Sequence, residues 1–273
     1  MIKVNYTILI ILISMHPSLS NAQPVNNDII IRHGTTILTL VSPDTIWIAA
    51  DSKVAEVTSY NSTTGNSLSQ NKIFETNGII YGFAAILKCS NKSGMSLFDS
   101  QKIMDSIIKD RKQFQSSAIA YKDAILVKLT ELLDSLVLKE SHAFIDKYMN
   151  EPIHTFLMAS FGNEGPKYYS QSYIIAKNGN AYKIQEMQPS IYDYGTMYFM
   201  TGSKKAIKEF LNLHPDYFGD FHEMKKKLIC LISLEAKKNL ADVGMPVDVV
   251  ELYRNDFKWF LDNKECDLTK KIK

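Results

Sequence analysis

The chain has 273 residues, 31 Lys+Arg against 29 Asp+Glu, 45% hydrophobic and 22% charged residues. That is ordinary globular usage and excludes a disordered chain, and 12 Gly with 8 Pro exclude a collagen-like or linker-like one. A net charge of +2 gives no electrostatic case for nucleic acid, and the length lets one large domain or two small ones bury a real core.

Residues 1–22, MIKVNYTILIILISMHPSLSNA, read as a signal peptide. Lys3 supplies a short positive start, Tyr6 to Met15 is the apolar stretch, and Ser20-Asn21-Ala22 is a small-residue cleavage pattern. The apolar stretch is too short to cross roughly 30 Å of hydrocarbon. The expectation is an exported protein, periplasmic or secreted, with no membrane role after cleavage. The three cysteines, Cys89, Cys230 and Cys266, are far apart and form no CxxC pair, so they suggest neither a structural zinc site nor a disulfide framework. Cys230, in an apolar helical pattern, reads as a small core residue.

Strand signals come first. Asp28 to Ser42 is rich in β-branched residues and broken by Gly34, and Thr45 to Asp51 follows the turn Ser42-Pro43-Asp44. Val54 to Gln70 is polar and reads as a loop. Lys72–Thr76 and Ile79–Leu87 flank Asn77-Gly78, a strong hairpin mark. Helical spacing then appears at Leu97, Ile103, Met104, Ile107 and Ile108, and again at Leu126, Leu129, Leu133 and Leu136, with Ser116-Ser117 as the N-cap. His142 and His154 lie at the end of this region and beyond it, without partners at metal spacing, and read as ordinary residues. Strands return over His154–Phe161, Tyr168–Ala176, Ala181–Met187 and Met197–Thr201. Helices follow over Ser203–Leu213 and Phe221–Leu240, then a strand over Pro246–Tyr253, and 263–273 is a charged tail. This order predicts a layered α+β fold in one domain, 35–262.

Three short stretches bear chemistry: His33-Gly34-Thr35-Thr36, Ala49-Ala50-Asp51-Ser52-Lys53 and Asn71-Lys72-Ile73-Phe74. A threonine hydroxyl needs a base to act as a nucleophile, and a free α-amine, with a reference pKa of about 7.7–8.0, is one. A nearby lysine cation lowers that pKa further, and an aspartate fixes the lysine.

Together these stretches resemble the proteasome β-subunit family of N-terminal nucleophile hydrolases. The resemblance rests on Gly34-Thr35, on Asp51 sixteen residues after Thr35, and on Lys72-Ile73. It implies a four-layer αββα sandwich. It also implies an autocatalytic cut at Gly34–Thr35 that removes a propeptide, 23–34, and makes Thr35 the nucleophile. Asp51 and Lys72 would be its partners, and the Ala85 N–H, in the strand Ile79-Ile80-Tyr81-Gly82-Phe83-Ala84-Ala85, would bind the oxyanion. The family usually has glycine at that position, and alanine serves there if its φ is negative. Thr201-Gly202-Ser203 and Ala241-Asp242-Val243-Gly244 resemble the segments whose Ser203 and Asp242 support the terminal amine. The family often has a serine soon after that aspartate, and this chain has none. Phe83 falls where a side chain shapes the pocket for the residue before the scissile bond, which implies a preference for small side chains. The implied activity is that of a threonine peptidase or amidohydrolase on a peptide or amide substrate, with no metal or cofactor and with assembly as a homo-oligomer. A non-catalytic ring or scaffold subunit and a small-molecule acylamide hydrolase are the alternatives.

Overall fold

The β-branched runs and the helical spacings separate along the chain as their periods require. The computed structural model describes residues 29–34, 36–58, 63–111, 113–179, 181–219, 223–239, 243–254, 256–262 and 266. The signal segment, the leader up to residue 28, Thr35, Asp242 and most of the charged tail lie outside them. The first strands are β1 (Ile29–Gly34), β2 (Thr36–Val41), β3 (Ile46–Asp51), β4 (Lys53–Thr58), β5 (Thr63–Ser69), β6 (Ile73–Thr76), β7 (Ile79–Asn91) and β8 (Ser96–Asp99). Helices α1 (Ser100–Arg111), α2 (Phe114–Leu138) and α3 (His142–Tyr148) follow. Next come β9 (Pro152–Gly162), β10 (Gly165–Asn178), β11 (Ala181–Glu186), β12 (Ser190–Ile191) and β13 (Met197–Gly202). Helices α4 (Lys205–Leu213) and α5 (Met224–Lys238) precede β14 (Val247–Tyr253) and β15 (Asp256–Asp262).

The strands form two sheets. The larger runs β11-β10-β9-β7-β1-β4-β5, with β12 on β10 and both β6 and β8 on β7; the smaller runs β13-β2-β3-β14-β15. Every pairing between these strands is antiparallel. The protein is therefore α+β, with two antiparallel sheets and, among the described residues, five helices. At Asn77-Gly78 both residues take positive φ, 53° and 74°, and Thr76 pairs with Ile79: a two-residue turn whose twist suits a hairpin.

Three apolar clusters fill the interior. One joins the larger sheet to α1, α2 and α3 through Ile31, Phe83, Tyr121, Leu129, Phe144 and Phe156. A second is made by strands of both sheets, with Ile37, Ile48 and Val250 from the smaller sheet meeting Ile80, Ala84 and Leu157 from the larger. The third joins the smaller sheet to α4 and α5 through Leu38, Val249, Ile207, Leu228 and Leu231. Because strand side chains alternate, neighbours such as Leu38 and Ile37, or Phe83 and Ala84, serve clusters on opposite faces.

Several expectations are corrected. The polar segment after Val54 is not one loop. Its two ends pair as β4 and β5, with Lys53 opposite Ser69 and Val54 opposite Leu68. A strand whose outward face meets water can be polar at every second position, and Ser and Thr tolerate that role. Helix α2 begins at Phe114 with Gln113 as its N-cap, ahead of Ser116-Ser117; the Ser117 N–H donates to the Gln113 carbonyl, an intrahelical bond. His142 opens the short helix α3, which the sequence reading lacked, as it lacked β15. Cys230 is not merely a core residue: it forms a disulfide with Cys266. The 36-residue separation hid the pair in sequence.

Candidate active site

The chain leaves the larger sheet at Gly34 and enters the smaller one at Thr36. Around this joint five segments converge. β3 ends in Asp51, and the stretch before β6 carries Lys72. Both side chains are fully buried, with Lys72 Nζ 2.7 Å from Asp51 Oδ1. A buried ion pair is worth keeping only if its remaining hydrogen-bonding capacity is met. Asp51 meets that condition with backbone amides from three segments: Oδ1 accepts from Thr36 N at 2.9 Å, and Oδ2 from Lys53 N at 3.2 Å and Gly244 N at 3.3 Å. The carboxylate thus ties the first residue of β2 to β4 and to the segment before β14.

Lys72 runs directly beneath Gly34. A Cβ placed on Gly34 would lie 2.5 Å from Lys72 Cε and 3.0 Å from Nζ, so only glycine leaves room for the lysine stem. A second acid stands nearby: Asp248 accepts from Ser52 Oγ at 3.2 Å. Burial pushes its carboxyl above the usual range, while the Ser52 bond and the Lys72 charge act the other way.

Gly34 is opposite Ala85 of β7, and Ala85 is opposite His154 of β9. The condition set for alanine here, a negative φ, is not met: Ala85 has φ +62°. This is the left-handed region that glycine enters freely and alanine at a cost of about 1–2 kcal/mol. The ladder is also irregular here. Arg32 pairs with Lys88 but His33 with Ile86, so Leu87 is an extra residue on β7, a bulge.

Ser203, just after β13, closes another side. Its carbonyl accepts from Thr36 Oγ1 at 2.7 Å. Its hydroxyl donates to Glu235 Oε1 at 2.7 Å and accepts from Asn239 Nδ2 at 2.9 Å. The other Glu235 oxygen accepts from Ala206 N and Ile207 N at the start of α4. Glu235, Asn239 and Asp248 escaped the sequence reading, and His154 read as ordinary, because nothing in α5, β14 or β9 marks them until the fold brings them together. A cleft of about 300 Å³ opens over the joint, bounded by Gly34, Ala85, Ser203 and Asn239 and by Lys147 and Glu151 from α3 and the turn after it.

Of the residues singled out in sequence, Gly34, Asp51, Lys72, Ala85 and Ser203 surround this joint. Thr35 and Asp242 lie outside the described residues, though their neighbours Gly34, Thr36 and Val243 are within them. Phe83 is 1% exposed and packs on the helix side of the larger sheet against Phe74, Tyr81, Tyr121 and His154, not on the wall of the cleft. No family model matches the chain, and no curated protein matches it. The chemistry therefore rests on the arrangement itself: a buried ammonium held by a carboxylate, against a glycine, beside a cleft.

Proposed function

We propose that this chain is an exported N-terminal nucleophile hydrolase of the threonine type. The observation that carries the reading is the fully buried Lys72–Asp51 pair, lying under the one glycine that precedes Thr35. A buried lysine is costly, and a scaffold has no use for one at this point. The three apolar clusters support a four-layer sandwich: helices, larger sheet, smaller sheet, helices. The same stacking supports reading the chain as a single domain, 35–262 after the cut. The Cys230–Cys266 disulfide suits an oxidising compartment, as export requires.

In this reading the Thr35 hydroxyl attacks the Gly34 carbonyl carbon. The tetrahedral oxyanion is held by the Ala85 N–H, and the C–N bond breaks to leave an ester on Thr35 and a free α-amine. Water then hydrolyses the ester, releasing the leader with a Gly34 carboxylate. The freed amine afterwards takes the hydroxyl proton of Thr35 during attack on substrate, and Lys72 keeps that amine's pKa low. Asp51 holds Lys72 in place.

The leader also favours peptides among amide substrates. β1 lies between β7 and β4, so its departure frees two strand edges that an extended peptide can join. The test is intact mass with N-terminal sequencing of protein exported from its host, and of the Thr35→Ala variant. The expected species starts at Thr35 in the parent and retains the leader in the variant. A parent that keeps its leader and cleaves no amide would instead leave a non-catalytic scaffold.

A further inference from the structure

The site raises a question that its central residues do not answer: what keeps an alanine in a glycine's conformation beside the bond to be cut? Ala85 has φ +62°, and the bulge at Leu87 follows two residues later. Between them the Ile86 carbonyl accepts from His154 Nδ1 at 2.7 Å. The other ring nitrogen, Nε2, is 3.2 Å from the Tyr121 hydroxyl. A carbonyl only accepts, so Nδ1 carries the proton and Nε2 accepts from Tyr121. Burial lowers the His154 pKa to about 4, which keeps this neutral, one-donor tautomer across the working range. The His154 ring is fully buried, with the rings of Phe83, Tyr121 and Tyr173 around it.

We infer that His154 is a positioning residue which, by holding the Ile86 carbonyl, fixes Ala85 in its left-handed conformation and so aims the Ala85 N–H at the reacting carbonyl. A glycine would reach that conformation without help. In this chain the cost falls on an alanine, and a buried histidine anchored by Tyr121 offsets it. The inference rests on the hydrolase reading for its catalytic consequence, but its conformational part is independent of that reading.

The experiment compares His154→Phe, His154→Asn and the double variant His154→Phe/Ala85→Gly in the full-length protein. Phenylalanine keeps the ring packing but removes the donor. Asparagine keeps an N–H near the Nδ1 position. With a fluorogenic peptide amide, His154→Phe should lower kcat and leader cutting on the order of a hundredfold, as loss of an oxyanion donor does, with KM little changed. Asparagine should restore most of the rate, and so should glycine at 85, because glycine does not need the histidine. A histidine that served core packing alone would not be rescued by a change at residue 85. His154→Phe with parental kcat, or a double variant no better than the single one, overturns the inference. If His154→Phe does not fold, His154→Asn against His154→Gln decides, since glutamine moves its N–H to the Tyr121 side; equal rates overturn it. If the parent neither cuts its leader nor hydrolyses amides, the hydrolase reading fails first. Hydrogen exchange at the Ile86 and Leu87 amides then decides alone: faster exchange in His154→Phe that slows again in the double variant supports the device, and unchanged exchange overturns it.

Discussion

β1 and β2 are both six residues long, both rich in β-branched side chains, and separated only by Thr35, yet they join different sheets. β2 is buried at every position, and its registers with β3 and β13 run without a shift. β1 is buried at Ile29, Ile31 and Gly34 and partly open between them, and its register with β7 slips beside the joint. Regular pairing is what a strand shows when its only task is to close a core. The slip, the left-handed Ala85 and the crowded Gly34 all fall on the β1 side, around one peptide bond. Local irregularity that gains nothing for stability is expected where a chain does chemistry. β2 belongs to the permanent fold, and β1 is the segment the proposed reaction removes.

Removing the cation beneath the joint tests that contrast most severely. Lys72→Ala should leave the leader attached and cut amide hydrolysis by about a thousandfold, in the range lost with a positioned acid–base group. It also strips Asp51 of its counter-charge, although three backbone amides still reach that carboxylate. The stability loss should therefore be about 3 kcal/mol, the low end for breaking a buried pair, measured by urea unfolding at neutral pH. Normal processing in this variant would break the link between the lysine and the cut.

A pair of truncations sharpens the comparison between the two strands. Ile31 is 0% and Leu38 2% exposed, each inside its own cluster. Both Ile31→Ala and Leu38→Ala should cost about 3 kcal/mol in an uncut Thr35→Ala background. In processed protein that has shed its leader, only Leu38→Ala should still cost anything. If Ile31→Ala weakens the mature form as well, the leader strand stays bound after cutting.

Much of this was legible in the sequence. The hairpin at Asn77-Gly78 and the α2 periodicity are local signals, Thr35 and Asp51 stand at a fixed interval, and Lys72 stands out by the Lys72-Ile73 pair rather than by its interval from Asp51. What escaped depends on distance. Glu235 sits in a helix whose apolar face gives no hint that its carboxylate holds the Ser203 turn. The Cys230–Cys266 bond joins a core helix to a tail that reads as solvated charge. The β4–β5 hairpin was missed because polar residues can occupy the open face of a strand. His154 looked ordinary because its importance comes from β7 lying beside β9, a pairing between residues 69 apart in sequence for Ala85 and His154.

That last residue also gives the comparison a pH axis. His154 is buried neutral, with burial lowering its pKa from the ordinary 6.5 to about 4 and the Ile86 bond opposing only part of that shift. The sign follows from proton counting. Between about pH 6.5 and pH 4 the unfolded chain holds a proton on this residue and the folded chain does not, so acid favours unfolding. Stability should fall as pH drops through that window, by about 1.4 kcal/mol per pH unit and roughly 3 kcal/mol in all, and this contribution should level off below pH 4. Urea unfolding at half-unit steps from pH 7 to pH 4, on the parent and on His154→Phe, isolates it: the parent should lose the extra stability and the variant should not. The smaller sheet has no histidine in its strands, so amides of β7 and β9 should lose hydrogen-exchange protection at higher pH than amides of β2 and β3. Equal loss in both sheets would mean that acid acts on the whole fold through its carboxylates and that the β1 side has no weakness of its own.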